Sequence, residues 1–187
     1  MKIWVYPKEV GGDLYDLSYL DNGLVYHGST VSVKDIDLRR CKTGKDFGLA
    51  FYLTTSESQA ISWARIVKER RNARSAVLNV YRVSSFVNLE SVVFPVADYQ
   101  WLDFVVGNRL NSVRLNIHSF HVVVGPVSDD SVNDVIYRYI NGLYDNYGDR
   151  KRDKVIYDLR SDRLVDQVAL CSLEAIRKVK HIGSEKV

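Results

Sequence analysis

Short runs of β-favouring residues alternate along the chain with segments of helical periodicity. Runs that end in turn-forming residues predict strands at Leu24–Ser29 and Ala50–Thr54, and apolar runs predict strands at Ala76–Val83 and Phe120–Gly125. The last of these is almost continuously apolar, so we expect it near the centre of a sheet. A fifth strand is predicted at Asp166–Cys171.

Apolar residues at spacings of three and four positions predict the helices. Thr55 and Ser56 are N-cap candidates for a first helix. Its expected core-facing positions are Ala60, Trp63, Ala64 and Val67. Further helices are predicted at Trp101–Val106, along the stripe from Val132 to Leu143, and after Ser172.

The strands and helices are interspersed without a regular βαβ rhythm, which predicts an α+β fold. We expect residues 1–187 to form one domain, because a chain of 187 residues with 46% hydrophobic content has material for one good core. No apolar run approaches the roughly 18 residues that a membrane span requires. With no signal-peptide pattern at the N-terminus, this predicts a cytoplasmic protein with no membrane partner.

Charge and cysteine content exclude several classes of function. The net charge of +3 is weaker than a dedicated nucleic-acid binder usually carries. Cys41 and Cys171 lack the paired spacing of metal or redox motifs, so we expect free thiols and no metal. The charged segments Lys68–Arg74 and Arg150–Lys154 contain acidic residues and no aromatic platform, which favours a solvated surface.

Three polar features have ordinary structural interpretations. Adjacent acids after a Gly-Pro turn, Ser128 to Asp130, favour an N-cap over a metal site. His118 and His121 flank a strand and are interpreted as structural. Arg109 and its neighbour Asn108 are predicted either to reach a cleft or to cap carbonyls.

Two strand motifs and one helix carry the candidate chemistry. The first strand ends in Tyr-His-Gly-Ser at positions 26–29, and the second contains Tyr52, with Trp63 eleven positions later. A histidine at a strand end is by itself more often structural. Together, the motifs resemble those of the His-Tyr-Glu class of ADP-ribosyltransferases, the superfamily of diphtheria-type toxins and poly-ADP-ribose polymerases.

A closer resemblance is to a bacterial family catalogued as domain of unknown function 3990. Its pattern of YHGS, DFGxxFYLT, xxQAxxWA, VxGPVxDD and a near-terminal DQV strand runs from Leu24 to Ile182 in this chain. The superfamily resemblance implies a split β-sandwich with flanking helices. It also implies NAD as a co-substrate, with no metal.

The resemblance assigns a role to each motif residue. The backbone of Gly28, next to Ser29, would pair with the nicotinamide carboxamide, and His27 would bind ribose hydroxyls. Tyr52 and Trp63 would enclose the nicotinamide ring, for which the alternative is ordinary core packing. The basic loop would offset pyrophosphate charge or is simply solvated; its residues are Arg39, Arg40, Lys42 and Lys45.

The third catalytic position departs from the superfamily. Where a glutamate is usual, this chain has Gln167, and Asp166 beside it would point to the opposite side of a strand. An amide can bind a ribose hydroxyl but cannot act as a general base, an effect of about 10²–10⁴-fold. Chain elongation into poly-ADP-ribose is therefore not expected.

The resemblance implies a mono-ADP-ribosyltransferase that modifies a protein or nucleic-acid acceptor and releases nicotinamide. Toxins of toxin–antitoxin pairs belong to the resembling families, so a cognate antitoxin is a possible partner. The glutamine leaves three alternatives open: slow NAD hydrolysis, a non-catalytic NAD- or ADP-ribose-binding module, and an interaction domain with a vestigial cleft.

Overall fold

The computed structural model describes residues 17–126, 130–159 and 166–187. The protein is α+β, with strands and helices interspersed along the chain. The strands are β1 (Leu24–Ser29), β2 (Phe51–Thr54), β3 (Val77–Val83), β4 (Ser91–Val93), β5 (Val122–Pro126), β6 (Asp166–Leu170) and β7 (Val179–Lys186). The helices are α1 (Glu57–Arg70), α2 (Tyr99–Leu110), α3 (Asp130–Ile140), α4 (Lys151–Leu159) and α5 (Leu173–Ile176).

The strands are hydrogen-bonded in the order β4-β5-β6-β2-β1-β3-β7. Every neighbouring pair is antiparallel except β4 with β5. The junction between β2 and β1 consists of one registered pair, Tyr26 with Thr54. In contrast, β1 is in register with β3 along its whole length. The sheet therefore divides at this junction into a half containing β4, β5, β6 and β2 and a half containing β1, β3 and β7.

Alternation of side chains gives the sheet two faces. On one face, which we call the helical face, a core forms between the sheet and helices α2, α3 and α4. Its members include Val123 and Ala169 from the sheet and Trp101, Phe104 and Ile136 from the helices. The opposite face has its own core, which includes Val25, Phe51, Tyr81, Val168 and Leu170.

Helix α1 packs against β1 at unusually short range. A Cβ added to Gly28 would lie 2.1 Å from the carbonyl oxygen of Ala60 and 2.7 Å from the nitrogen of Ala64. Ala60 and Ala64 are buried, as expected. The expectation that Trp63 shares this core-facing stripe is wrong, because its side chain is 44% exposed. An interface this close has room for methyl groups only, so the indole lies at its side.

The first four predicted strands and the β6 strand are all present within a residue or two of their predicted ends. Ser56 and Ser172 act as N-caps of α1 and α5, as predicted. Helix α4 and strands β4 and β7 were not predicted from the sequence. In α4 only Val155 and Leu159 are buried, so its apolar stripe is too narrow to stand out among charges.

Two expectations lie outside the described residues. The N-cap expected at Ser128 to Asp130 falls partly on residues 127–129, although α3 begins at Asp130. The side-chain direction expected for Asp166 is likewise outside the description, although β6 begins at that residue.

Candidate functional site

The two motif-bearing strands lie side by side at the point where the sheet divides. Pairing between β1 and β2 stops after Tyr26 and Thr54, and the next contact is made by a side chain. The imidazole Nδ1 of His27 donates a hydrogen bond of 2.8 Å to the carbonyl oxygen of Tyr52. Because a carbonyl only accepts, this bond places the proton of a neutral imidazole on Nδ1 and leaves a lone pair on Nε2.

His27 lies on the opposite face, where its ring contacts that of Phe51 at a centroid distance of 4.4 Å. Burial lowers the pKa of His27 below its ordinary value of 6.5, and the hydrogen bond to Tyr52 acts in the other direction. The ring is therefore neutral at pH 7. Among the described residues, Nε2 has no hydrogen-bond partner, so it remains an acceptor.

Tyr52 points to the helical face, where its ring lies against the edge of the core. Its hydroxyl donates to the carbonyl of Gly48 at 2.8 Å and accepts from the amide of Phe47 at 3.1 Å. Burial raises the pKa of Tyr52 well above 10, so the hydroxyl stays protonated at physiological pH. The side chain thus anchors the turn that precedes its own strand.

The segment from Asp46 to Leu49 is also held from outside. Asp46 forms an ion pair with Arg109 of α2 at 2.7 Å, and both side chains are largely buried. Asn116 brackets Leu49 by accepting from its amide at 2.6 Å and donating to its carbonyl at 3.1 Å. Arg109 thus fixes this turn through an ion pair, and its neighbour Asn108 donates to the carbonyl of Phe104 at 2.9 Å, the carbonyl contact that was one of the two roles predicted for the pair.

Gln167 of β6 is directly opposite Thr54 of β2 and therefore shares the helical face with Tyr52. Its side chain is buried, with 8% of the residue exposed, and its Nε2 has no hydrogen-bond partner among the described residues. The neighbouring Thr54 hydroxyl is engaged, because it donates to Oε1 of Gln59 in α1. A buried donor left unpaired costs about 1–3 kcal/mol, so Nε2 of Gln167 is a candidate for contact with a ligand.

The remaining candidate residues are more loosely placed. Trp63 is exposed on α1, with the guanidinium of Arg70 5.6 Å from its ring centroid. No ring contact joins Trp63 to Tyr52 in the described part of the chain. Lys45 is exposed on the loop before Asp46, and Ser29 is partly buried at the end of β1. The structure thus places His27, Gly28, Tyr52 and Gln167 on adjoining strands, with Tyr52 and Gln167 on the helical face and His27 on the opposite face.

Sequence reasoning missed the residue that fixes the chain after β1. Asn79 of β3 is fully buried, and its side chain donates to the carbonyls of His27 and Val31 at 3.3 and 3.2 Å. Its oxygen accepts from the amide of Val33 at 2.8 Å. An asparagine inside the largely apolar strand Val77–Val83 was the available signal, since a buried amide needs partners.

His118 and His121 form hydrogen bonds with other groups of the protein, and neither cysteine forms a disulfide. His118 bonds the carbonyl of Phe47 through Nε2 at 3.2 Å, and His121 bonds the hydroxyl of Ser172 through Nδ1 at 2.7 Å. Cys41 and Cys171 are both free thiols, and burial raises the pKa of Cys171 to about 12. No group of three or more metal-ligating side chains occurs in the residues that the structure describes.

Two surface cavities occur away from these strands. One, of about 320 Å³, lies among Arg138, Tyr144, Lys154 and Asp158, and the other, of about 200 Å³, lies near Arg82. Neither includes a residue of the segments 26–29 or 51–54. Within the described ranges, none of the helices combines the length and the apolar character needed to cross a membrane.

Comparisons with known proteins place the chain in a family without adding a named activity. No curated protein and no solved structure matches it significantly. A family model described as "Protein of unknown function (DUF3990)" matches residues 24–181, a range that contains β1, β2, α1 and Gln167. The chain therefore belongs to the DUF3990 family.

Proposed function

We propose that the protein binds NAD at the junction of β1 and β2 and transfers ADP-ribose to a macromolecular acceptor, with release of nicotinamide. The observation that carries this proposal is the local arrangement of three groups. At one break in the sheet lie Tyr52 and Gln167, whose side chains share the helical face, and His27, whose imidazole crosses the break from the opposite face. These are the residue types and positions expected from the resemblance to the His-Tyr-Glu class of ADP-ribosyltransferases, with one change, and the same resemblance supports the split β-sandwich assignment.

The first strand supplies two binding functions. Beyond Tyr26, the edge of β1 that faces β2 has no strand partner in the described chain. This leaves backbone groups near Gly28 for the carboxamide of nicotinamide. The Nε2 lone pair of His27 is suited to accept a hydrogen bond from a ribose hydroxyl.

The second strand and α1 supply aromatic surface. A positively charged pyridinium packs favourably on an aromatic face, with a contribution of about 0.5–2 kcal/mol. Tyr52 is held in place by its two hydrogen bonds, so it offers such a face without rearrangement. Trp63 is exposed, and the guanidinium of Arg70 lies over its ring. Its indole would therefore stack on the nicotinamide ring only after a change of rotamer.

The neutral amide of Gln167 limits which reaction the proposed site can support. Its free N–H groups suit it to bind a ribose oxygen, but it provides no negative charge for the cationic centre that forms at C1′ as nicotinamide leaves. It also cannot remove a proton from the acceptor. Transfer of a single ADP-ribose to an acceptor with its own reactive nucleophile fits these limits.

The biological setting is part of the proposal. We infer a cytoplasmic protein, which fits its two free thiols. Use as a toxin with a cognate antitoxin follows from the resemblance alone. The acceptor class is a protein or a nucleic acid.

A second candidate is a non-catalytic NAD- or ADP-ribose-binding module, or an enzyme that hydrolyses NAD slowly. The observation that favours it is the neutral amide of Gln167 in the place of a carboxylate. Binding groups are then present, whereas the group that stabilises the transition state is absent.

Labelled NAD and cell extract distinguish these functions. We expect label transfer by the native protein and its loss in Tyr52→Ala, which removes the ring. A matched control is Tyr137→Ala, because Tyr137 is 62% exposed on α3, away from the junction. NAD binding without transfer or nicotinamide release indicates the binding module, and absence of binding rejects the NAD proposal.

A further inference from the structure

A second site candidate lies where the beginning of β7 meets the end of β3. The groove has a volume of about 200 Å³. It is formed by the turn before β1, by β3 and by the segment that leads from α5 into β7. Its lining residues are Asn22, Arg82, Val83, Ser84, Arg177, Lys178, Val179 and Lys180.

The groove is lined by four cationic side chains and no carboxylate. The cations are Arg82, Arg177, Lys178 and Lys180, and none of them forms an ion pair with a described acidic residue. By contrast, Arg109 is paired with Asp46 and Arg152 with Asp103. Arg177 interacts electrostatically with Glu174 of α5, so the described residues compensate the positive charge of the groove only in part.

The backbone brings these cationic residues close to one another. Arg82 and Lys180 are direct neighbours across β3 and β7, so their side chains leave the sheet on the same face. Arg82 also donates to the carbonyl of Asn22 at 3.1 Å. Ser84 donates twice to the carbonyl of Lys178, through its amide at 2.7 Å and its hydroxyl at 3.0 Å.

Protection of the sheet edge against pairing with other chains does not account for all four cations. Lysines on an edge strand discourage pairing with other chains, and this explains Lys180 on β7. Arg82 is on β3, an inner strand, and Arg177 follows α5. The four cations thus come from two separate segments, β3 and residues 177–180.

We propose that this groove binds phosphate groups of an anionic ligand, at a site separate from the NAD junction. An arginine fork and lysine point charges are the usual partners of phosphate. The volume of about 200 Å³ is below the roughly 300–1,000 Å³ of sites that enclose a drug-sized molecule. It suits one or two phosphoryl groups, either of a free pyrophosphate or of a nucleic-acid backbone.

Binding to the full chain tests the proposal with two probes, inorganic pyrophosphate by calorimetry and a fluorescent single-stranded 12-mer DNA by anisotropy. The test variant is Arg82→Ser with Lys180→Ser. The control is Lys68→Ser with Arg74→Ser, which also removes two exposed positive charges but far from the groove. We expect an affinity loss of about tenfold or more for the test variant and less than about threefold for the control.

The two probes separate the sources of phosphate. Binding of pyrophosphate alone identifies a small ligand, and tighter binding of DNA with a steep salt dependence identifies a nucleic-acid backbone. No binding of either probe at low salt, or equal losses in both variants, overturns the proposal. NAD binding by the test variant is measured in parallel and stays unchanged, so a failed groove and a failed NAD site give different results.

Discussion

The imidazole Nδ1 of His27 donates to the carbonyl oxygen of Tyr52 at 2.8 Å, and this bond crosses the break between the two halves of the sheet. Backbone pairing alone joins β1 to β2 at one residue pair. His27 is therefore both a structural link and, through Nε2, an open acceptor. The structural and ligand-binding interpretations of a histidine at a strand end are compatible here.

Gly28→Ala is expected to destabilise the protein by about 2–3 kcal/mol, within the range for overpacked sites. The added methyl group would lie 2.1 Å from the backbone oxygen of Ala60, so helix α1 must move away. Gly183→Ala is the matched control, because a Cβ there meets nothing within 4 Å. Urea unfolding measures both changes, and equal stabilities of the two variants would contradict the observed packing of α1 on β1.

Gln167→Leu is expected to leave stability unchanged or raise it by about 1 kcal/mol, because it removes a buried N–H that has no partner. The same substitution should abolish NAD binding if Gln167 contacts the ligand. Asn79→Leu provides the comparison, since Asn79 is also a buried amide but has its hydrogen bonds made. It should destabilise by several kcal/mol. Destabilisation by Gln167→Leu of the same size would mean that Gln167 is structurally satisfied.

The sequence predicted the strands that carry the site because their signals are local. Turn residues after Leu24–Ser29 and the N-cap Ser56 act within a few positions, and both are present as predicted. The exposed orientation of Trp63 could not be predicted from the sequence, since it depends on how closely α1 approaches Gly28. Side-chain spacing reports a helix face but not the distance to the neighbouring sheet.

The strand order and the cationic groove could not be read from local patterns either. The order results from pairings between distant segments, such as β2 with β6 and β3 with β7. The groove combines Arg82 with residues nearly a hundred positions later. Strand β7 was missed because it is half-exposed at an edge, with a register shift opposite Val80 and Tyr81 that interrupts its alternation.

Arg109→Met is expected to cost on the order of 2 kcal/mol, between the values for exposed and fully buried ion pairs. It leaves Asp46 without its partner in a largely buried position. The turn that Asp46 begins also anchors the hydroxyl of Tyr52, so weaker NAD binding should accompany the loss. Adding Asp46→Asn to Arg109→Met should recover part of the stability. A strictly additive double-mutant cycle would show that the pair contributes nothing.

Folding stability should fall as the pH drops below about 6.5. Burial lowers the pKa of both His27 and His118 below 6.5, and each also bonds a backbone carbonyl, which raises the pKa to a smaller extent. The unfolded chain therefore takes up protons at a higher pH than the folded protein does, so acidification favours unfolding. Above the unfolded pKa both states are neutral, and this contribution is fully present.

The free energy of unfolding in urea, measured at pH 5, 6, 7 and 8, tests this dependence residue by residue. His27→Gln and His118→Gln should each flatten the slope between pH 5 and 6.5, whatever they do to stability at pH 8. Carboxylates add their own acid sensitivity, but their contribution is common to all the variants and largely lies at lower pH. An unchanged slope in His27→Gln would mean that the imidazole is protonated as easily in the folded protein as in the unfolded chain, which is incompatible with a buried neutral bridge between the sheet halves.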